Sequence, residues 1–264
     1  MLNHKLIDMN TKLTIVLSLI VSTSFAQLKP VSYQDKDQKL SGLSIIPAKP
    51  GSGKTGILIL PAWKGIDDHA KKVAEELSKT GYYAFIADIY GEGHYPTDNK
   101  SAAEQSGFYK KNYKIYQERI RLALQQLIKS GANPNEIVVI GYCFGGTGAI
   151  EAARTNFPVK GVVSFHGGLG KDPERASDSA IKPAVLVLHG ADDPSVPPAQ
   201  VLAFEDEMRK AKADWQLIAY ANAVHAFTEP AAGNDNSKGA AYNEKADKRS
   251  WEHFLLFLKE LTSH

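Results

Sequence analysis

The chain has 264 residues, 43% hydrophobic and 23% charged, with 31 basic against 29 acidic side chains and a formal net charge of +2. That length can bury a sizeable core, the near-zero charge gives no footing for a nucleic-acid partner, and 21 glycines with 13 prolines exclude a collagen-like or low-complexity chain. The single cysteine, Cys143, excludes an intramolecular disulfide and any multi-cysteine metal site.

The N-terminal segment reads as a targeting signal. Residues 13–21 (LTIVLSLIV) are an apolar run preceded by Lys12 and followed by Ser24-Phe25-Ala26, a small-x-small cleavage pattern. At ~1.5 Å per residue the run is too short for a ~30 Å hydrocarbon core. The expectation is a signal peptide over residues 1–26, a single domain over 27–264, and export to a periplasm or beyond without stable membrane insertion. An uncleaved anchor or a buried N-terminal strand is the alternative. A lone thiol is unusual in such a disulfide-permissive place.

Strands and helices then alternate. An antiparallel pair is expected at Val31–Asp35 and Lys39–Ala48, then strands at Gly56–Ala62, Tyr82–Asp88, Glu136–Gly141, Lys160–His166, Pro183–His189 and Trp215–Tyr220. Most are continuous apolar runs, the pattern of strands covered on both faces. Asp67 caps a helix with Ala70, Val73, Ala74 and Leu77 at helical spacing, closed by Gly81. A second carries Tyr116, Ile120, Ala123, Leu124 and Leu127 and stops at Gly131; a third starts near Pro198 with Val201, Phe204 and Met208. The last places Trp251, Phe254, Leu255, Leu258 and Leu261 on one stripe, with His253 facing solvent. The alternation predicts one α/β domain with a mostly parallel central sheet and helices on both faces.

Gly51-Ser-Gly-Lys-Thr55 resembles the tail of a phosphate-binding loop. Its first glycine is missing, since position 48 is Ala48, and a strand follows instead of a helix, so it reads as a turn.

The segment Glu136–Gly148 reads as strand, sharp turn, helix, and Gly141-Tyr-Cys-Phe-Gly145 matches a G-x-S-x-G nucleophile elbow with cysteine in place of serine. Such a turn strains the nucleophile's backbone and leaves no room for side chains two positions to either side. It also sets the sulfur at a helix N-terminus, whose partial positive charge favours thiolate. An acid and a histidine should follow in chain order. Asp192 and Asp193 both emerge after the strand ending at His189, and His225 lies on the loop after the strand ending at Tyr220.

The motifs GYCFGG (141–146), SFHGG (164–168), HGADDPSVPP (189–198) and HAF (225–227) together resemble the dienelactone hydrolase family, within the α/β-hydrolase fold. The resemblance implies a triad of Cys143, His225 and Asp193, with Asp192 at a variable position. It implies an oxyanion hole from the backbone N–H groups of Phe144 and Trp63. No cofactor and no metal are implied. The family's gating glutamate corresponds here to Ala62, and its substrate-clamping arginines fall near Glu92 and Glu229, which argues against an anionic lactone. Trp63, Tyr90 and Phe227 are candidate substrate contacts, with burial in the core the competing role for each. The expected reaction is hydrolysis of a small ester or lactone through a thioester. Thioesterase, sugar-ester deacetylase or peptidase activity with the same triad, or an exported non-catalytic binding protein on this scaffold, are the alternatives.

Overall fold

The computed structural model describes residues 26–172, 175 and 180–262; the proposed signal segment up to Phe25 lies outside them. An eight-stranded sheet has the order β1-β2-β4-β3-β5-β6-β7-β8. Its strands are β1 (Lys29–Asp35), β2 (Gln38–Ile45), β3 (Gly56–Leu60), β4 (Tyr83–Ile86), β5 (Ile137–Tyr142), β6 (Gly161–Phe165), β7 (Ala184–Gly190) and β8 (Trp215–Tyr220). The hairpin β1–β2 is antiparallel and β2 joins β4 antiparallel, while β4, β3, β5, β6, β7 and β8 run parallel. The sheet is therefore mixed but mostly parallel, as the alternating pattern predicts.

The continuous apolar runs serve two cores at once. Side chains alternate across a strand, so Ile57, Ile59, Val138 and Ile140 pack on one face and Leu58, Leu60, Ile137 and Val139 on the other. The first face is covered by α1 (Asp68–Lys79) and α6 (Glu244–Leu261), through Ala70, Val73 and Leu77 and through Phe254, Phe257 and Leu258. The second is covered by α3 (Tyr113–Lys129), α4 (Phe144–Arg154) and α5 (Pro198–Lys210). The Asp67 carboxylate accepts the Ala70 N–H at 2.8 Å, capping α1 as its sequence indicates. The glycine-rich stretch at 51–55 is the turn between β2 and β3, with the Gly51 N–H donated to the Gly81 carbonyl.

Three local expectations are corrected. α2 (Asn99–Lys111) was not foreseen, because it buries only Ala102, Ser106 and Tyr109 and shows no apolar stripe. Its N-terminus is fixed by a capping box between Asp98 and Ser101. On α6, Leu255 is exposed and Phe257 occupies the buried stripe. His253 packs against Tyr220, whose hydroxyl lies 2.8 Å from His253 Nδ1, so it does not simply face solvent.

Among the described residues no helix is long and apolar enough to cross a membrane, and no cluster of His, Cys, Asp and Glu is placed to hold a metal ion.

Candidate active site

The C-terminal ends of β3, β5, β6 and β7 converge with the loop after β8 on Cys143. Strand β5 ends at Tyr142 and α4 begins at Phe144, so Cys143 alone makes the turn, at φ 53° and ψ −113°. Positive φ is costly for a residue with a Cβ, and here the neighbours enforce it. A Cβ on Gly141 would run into the Gly145 carbonyl, and one on Gly145 into the carbonyl of Leu60 at the end of β3. The Cys143 N–H is held from behind, 3.0 Å from the Phe165 carbonyl and 3.2 Å from His166 Nδ1. Beneath the elbow, the Phe144 ring stacks on Tyr116, whose hydroxyl donates to the Phe144 carbonyl at 2.9 Å.

The sulfur of half-buried Cys143 lies 3.0 Å from His225 Nε2, and His225 Nδ1 lies 2.9 Å from Asp193 Oδ2. Asp193 is buried and its other oxygen accepts the Ser195 N–H at 2.8 Å, so the carboxylate cannot rotate away without losing a partner. Asp192, the neighbouring candidate, is exposed. His225 itself is clamped by the returning polar loop: its N–H donates to the Gly239 carbonyl and its carbonyl accepts the Ala241 N–H. That loop, at 230–240, forms part of the cavity rim through Ala231, Ala232 and Ala240.

Burial disfavours charge on His225, but its hydrogen bonds to Asp193 and Cys143 outweigh it and raise the imidazolium to about 10. A second histidine, His166, stands edge-on to it at 5.4 Å between ring centroids. Burial, with the nearby His225 charge adding to it, drives His166 well below its ordinary range. Its Nε2 is 2.8 Å from the Thr228 hydroxyl, so it serves as a neutral brace for the elbow. The sequence marks this residue only through its place in SFHGG.

The cavity in front of the sulfur measures about 510 Å³ and is lined by Ala62, Trp63, Lys64, Phe144, His225 and Glu229, among others. The Phe144 N–H opens α4, where no preceding helical carbonyl can take it, and the Trp63 N–H meets no acceptor among the described residues. Trp63 is held in place by the Tyr90 hydroxyl, which donates to the Trp63 carbonyl at 2.6 Å.

Two expected substrate contacts are core residues instead. Tyr90 is buried against Phe144 and Tyr109, and Phe227 is fully buried between His166 and Tyr220; neither lines the cavity. Of the two acidic residues expected near the substrate, Glu92 pairs with Lys39 at 3.0 Å on the surface, away from the cavity. Glu229 does line it, 3.7 Å from His69 Nε2.

The model of the dienelactone hydrolase family matches residues 40–262. A dienelactone hydrolase-like promiscuous phosphotriesterase from metagenomic libraries superimposes with a TM-score of 0.83 at 34% identity, covering 91% of this chain and all of its own. A probable 2-oxo-3-(5-oxofuran-2-ylidene)propanoate lactonase from Bradyrhizobium sp is 25% identical over 77% of this chain and 82% of its own. A Salmonella typhimurium protein described as a putative carboxymethylenebutenolidase is 24% identical over 75% of this chain and 74% of its own. With a strained cysteine elbow at the head of a mostly parallel sheet and a family match over most of its length, this chain belongs to the dienelactone hydrolase family and is a hydrolase.

Proposed function

We propose that this hydrolase cleaves a small carboxylic ester or lactone by acyl transfer through Cys143, with His225 carrying the proton and Asp193 orienting His225. The observation that supports it most is the unbroken line of contacts at the cavity floor, 3.0 Å from Cys143 Sγ to His225 and 2.9 Å from His225 to Asp193. The lactonase among the relatives favours an ester or lactone carbonyl over an amide.

In this mechanism the Cys143 sulfur attacks the carbonyl carbon, and the oxygen takes up negative charge between the Phe144 and Trp63 N–H groups. Loss of one such donor typically costs about 2.7–4 kcal/mol of barrier. The tetrahedral intermediate collapses to a thioester as the C–O bond breaks, and the leaving alkoxide takes its proton from His225. Once the sulfur is acylated, His225 loses the Cys143 contribution to its raised pKa, and burial then opposes only Asp193. The imidazole is thereby more readily left unprotonated, the form that can take a proton from the water that hydrolyses the thioester. No step requires a metal or organic cofactor.

Export belongs to the same reading and is supported by the Lys12–Ala26 pattern; N-terminal sequencing of the protein recovered from its native host checks it, with Gln27 expected first. The mechanism is tested with Cys143→Ala on short-chain aryl esters. Turnover should fall by at least about a thousandfold; unchanged turnover removes the mechanism.

A further inference from the structure

The wall of the Cys143 cavity holds a carboxyl group that the acyl-transfer steps do not use. Glu229 follows His225 by one helical-like turn, its N–H donated to the Ala226 carbonyl, and its side chain is 17% exposed. Oε1 is buried with no hydrogen-bond partner, facing the equally buried and unpartnered His69 Nε2 at 3.7 Å. His69 is fixed edge-on against Tyr142 at 4.6 Å. The pair is thus rigid, buried and poorly satisfied, and it borders the space a substrate must enter.

The surroundings favour an uncharged pair near neutrality. Burial, reinforced by Asp67 and Asp247, raises Glu229 to about 8, against a small opposing pull from His225. Burial also lowers His69, outweighing Asp67, and Lys72 adds to that direction. The basic residues Lys64 and Lys110 line the same cavity.

We propose that Glu229, backed by His69, is a titrating selectivity element of this cavity: uncharged, its carboxyl hydrogen-bonds neutral oxygen-bearing groups, and ionised, it repels anionic ones. The substrate class that follows is an uncharged ester or lactone, preferred more strongly as pH rises. This rests on Cys143 being the reacting centre of the cavity.

The test uses that cysteine's uniqueness and needs no ester turnover. Iodoacetamide and iodoacetate are near-isosteric, neutral and anionic, and both alkylate thiolates, so the ratio of their rates at Cys143 cancels the thiolate fraction. Divided by the same ratio for N-acetylcysteine, the preference for iodoacetamide should rise about three- to tenfold between pH 6.5 and 9. In Glu229→Gln, and in Glu229→Ala as a second variant, it should change by less than about twofold. A flat ratio in the wild type overturns the proposal. So does an equal rise in both variants, which would assign the effect to loss of the His225 charge. Failure of both reagents to label Cys143 also overturns it, since the cavity would then be closed. If the ratio is flat while Cys143→Ala abolishes esterase turnover, the triad stands and the selectivity element falls. If the ratio behaves as expected while Cys143→Ala leaves turnover intact, the triad falls and the substrate class falls with it, leaving only charge selectivity at the Cys143 cavity.

Discussion

Asp193→Asn tests whether Asp193 orients His225 in the proposed triad. The carboxylate side chain is fully buried and receives the Ser195 N–H on one oxygen and His225 Nδ1 on the other. An asparagine of the same shape can accept from Ser195 only by turning its NH₂ toward His225. Nδ1 must then be the unprotonated nitrogen, so Nε2 carries the proton and can no longer accept one from water. The variant also loses the negative charge that helps hold His225 at about 10 against burial. A charge pair at this separation is worth several kcal/mol at an effective dielectric near 20, so a rise of about 4 kcal/mol in barrier, or about a thousandfold in kcat/KM, is expected. The assay is kcat/KM for p-nitrophenyl acetate from pH 6 to 10, with the His225 titration followed by NMR. The variant should show both the rate loss and a His225 midpoint displaced downward by more than one pH unit. Retention of kcat/KM within about threefold, with His225 unshifted, would refute the reasoning.

Three further outcomes follow from the same geometry. A carboxyl raised to about 8 contributes stability that is fully present below its unfolded pKa near 4.5 and is lost as pH rises through about 8. Wild type should therefore lose about 2–4 kcal/mol relative to Glu229→Gln between pH 4.5 and 9, read from urea midpoints at each pH. Arg154 is buried with Glu151 and Glu207 and also donates to the Leu169 and Gly170 carbonyls, so Arg154→Ala should cost about 3–5 kcal/mol by denaturant unfolding. Gly145→Ala drives a methyl into the Leu60 carbonyl, and should cost at least about 2 kcal/mol together with most of the activity, measured by thermal unfolding and ester turnover.

The strand framework was legible because strands covered on both faces carry continuous apolar runs, as in GILIL of β3, IVVI of β5 and AVLVL of β7. The elbow was legible because backbone crowding leaves only glycine at 141 and 145. Residues whose role depends on which way a buried surface faces were not. Tyr90 and Phe227 are aromatic, Phe227 within the HAF motif itself, and composition does not distinguish a cavity wall from the core behind it. Chain order leaves the adjacent acids Asp192 and Asp193 both open; the motif resemblance points to Asp193, and the geometry buries that residue beside His225. Helix α2 packs through Ala102, Ser106 and Tyr109, so it gives no apolar periodicity to read. His166 precedes the acid in the chain and reaches the elbow only because β6 lies beside β5.

The central claim is that Cys143 carries the acyl group. Acid-quenched intact-mass analysis during turnover of a p-nitrophenyl ester in His225→Ala, where deacylation is slowed, tests it most directly. The account predicts an added mass equal to the acyl group, located on the peptide containing Cys143 and released by hydroxylamine. Ester turnover with no such adduct, and undiminished in Cys143→Ala, would contradict it.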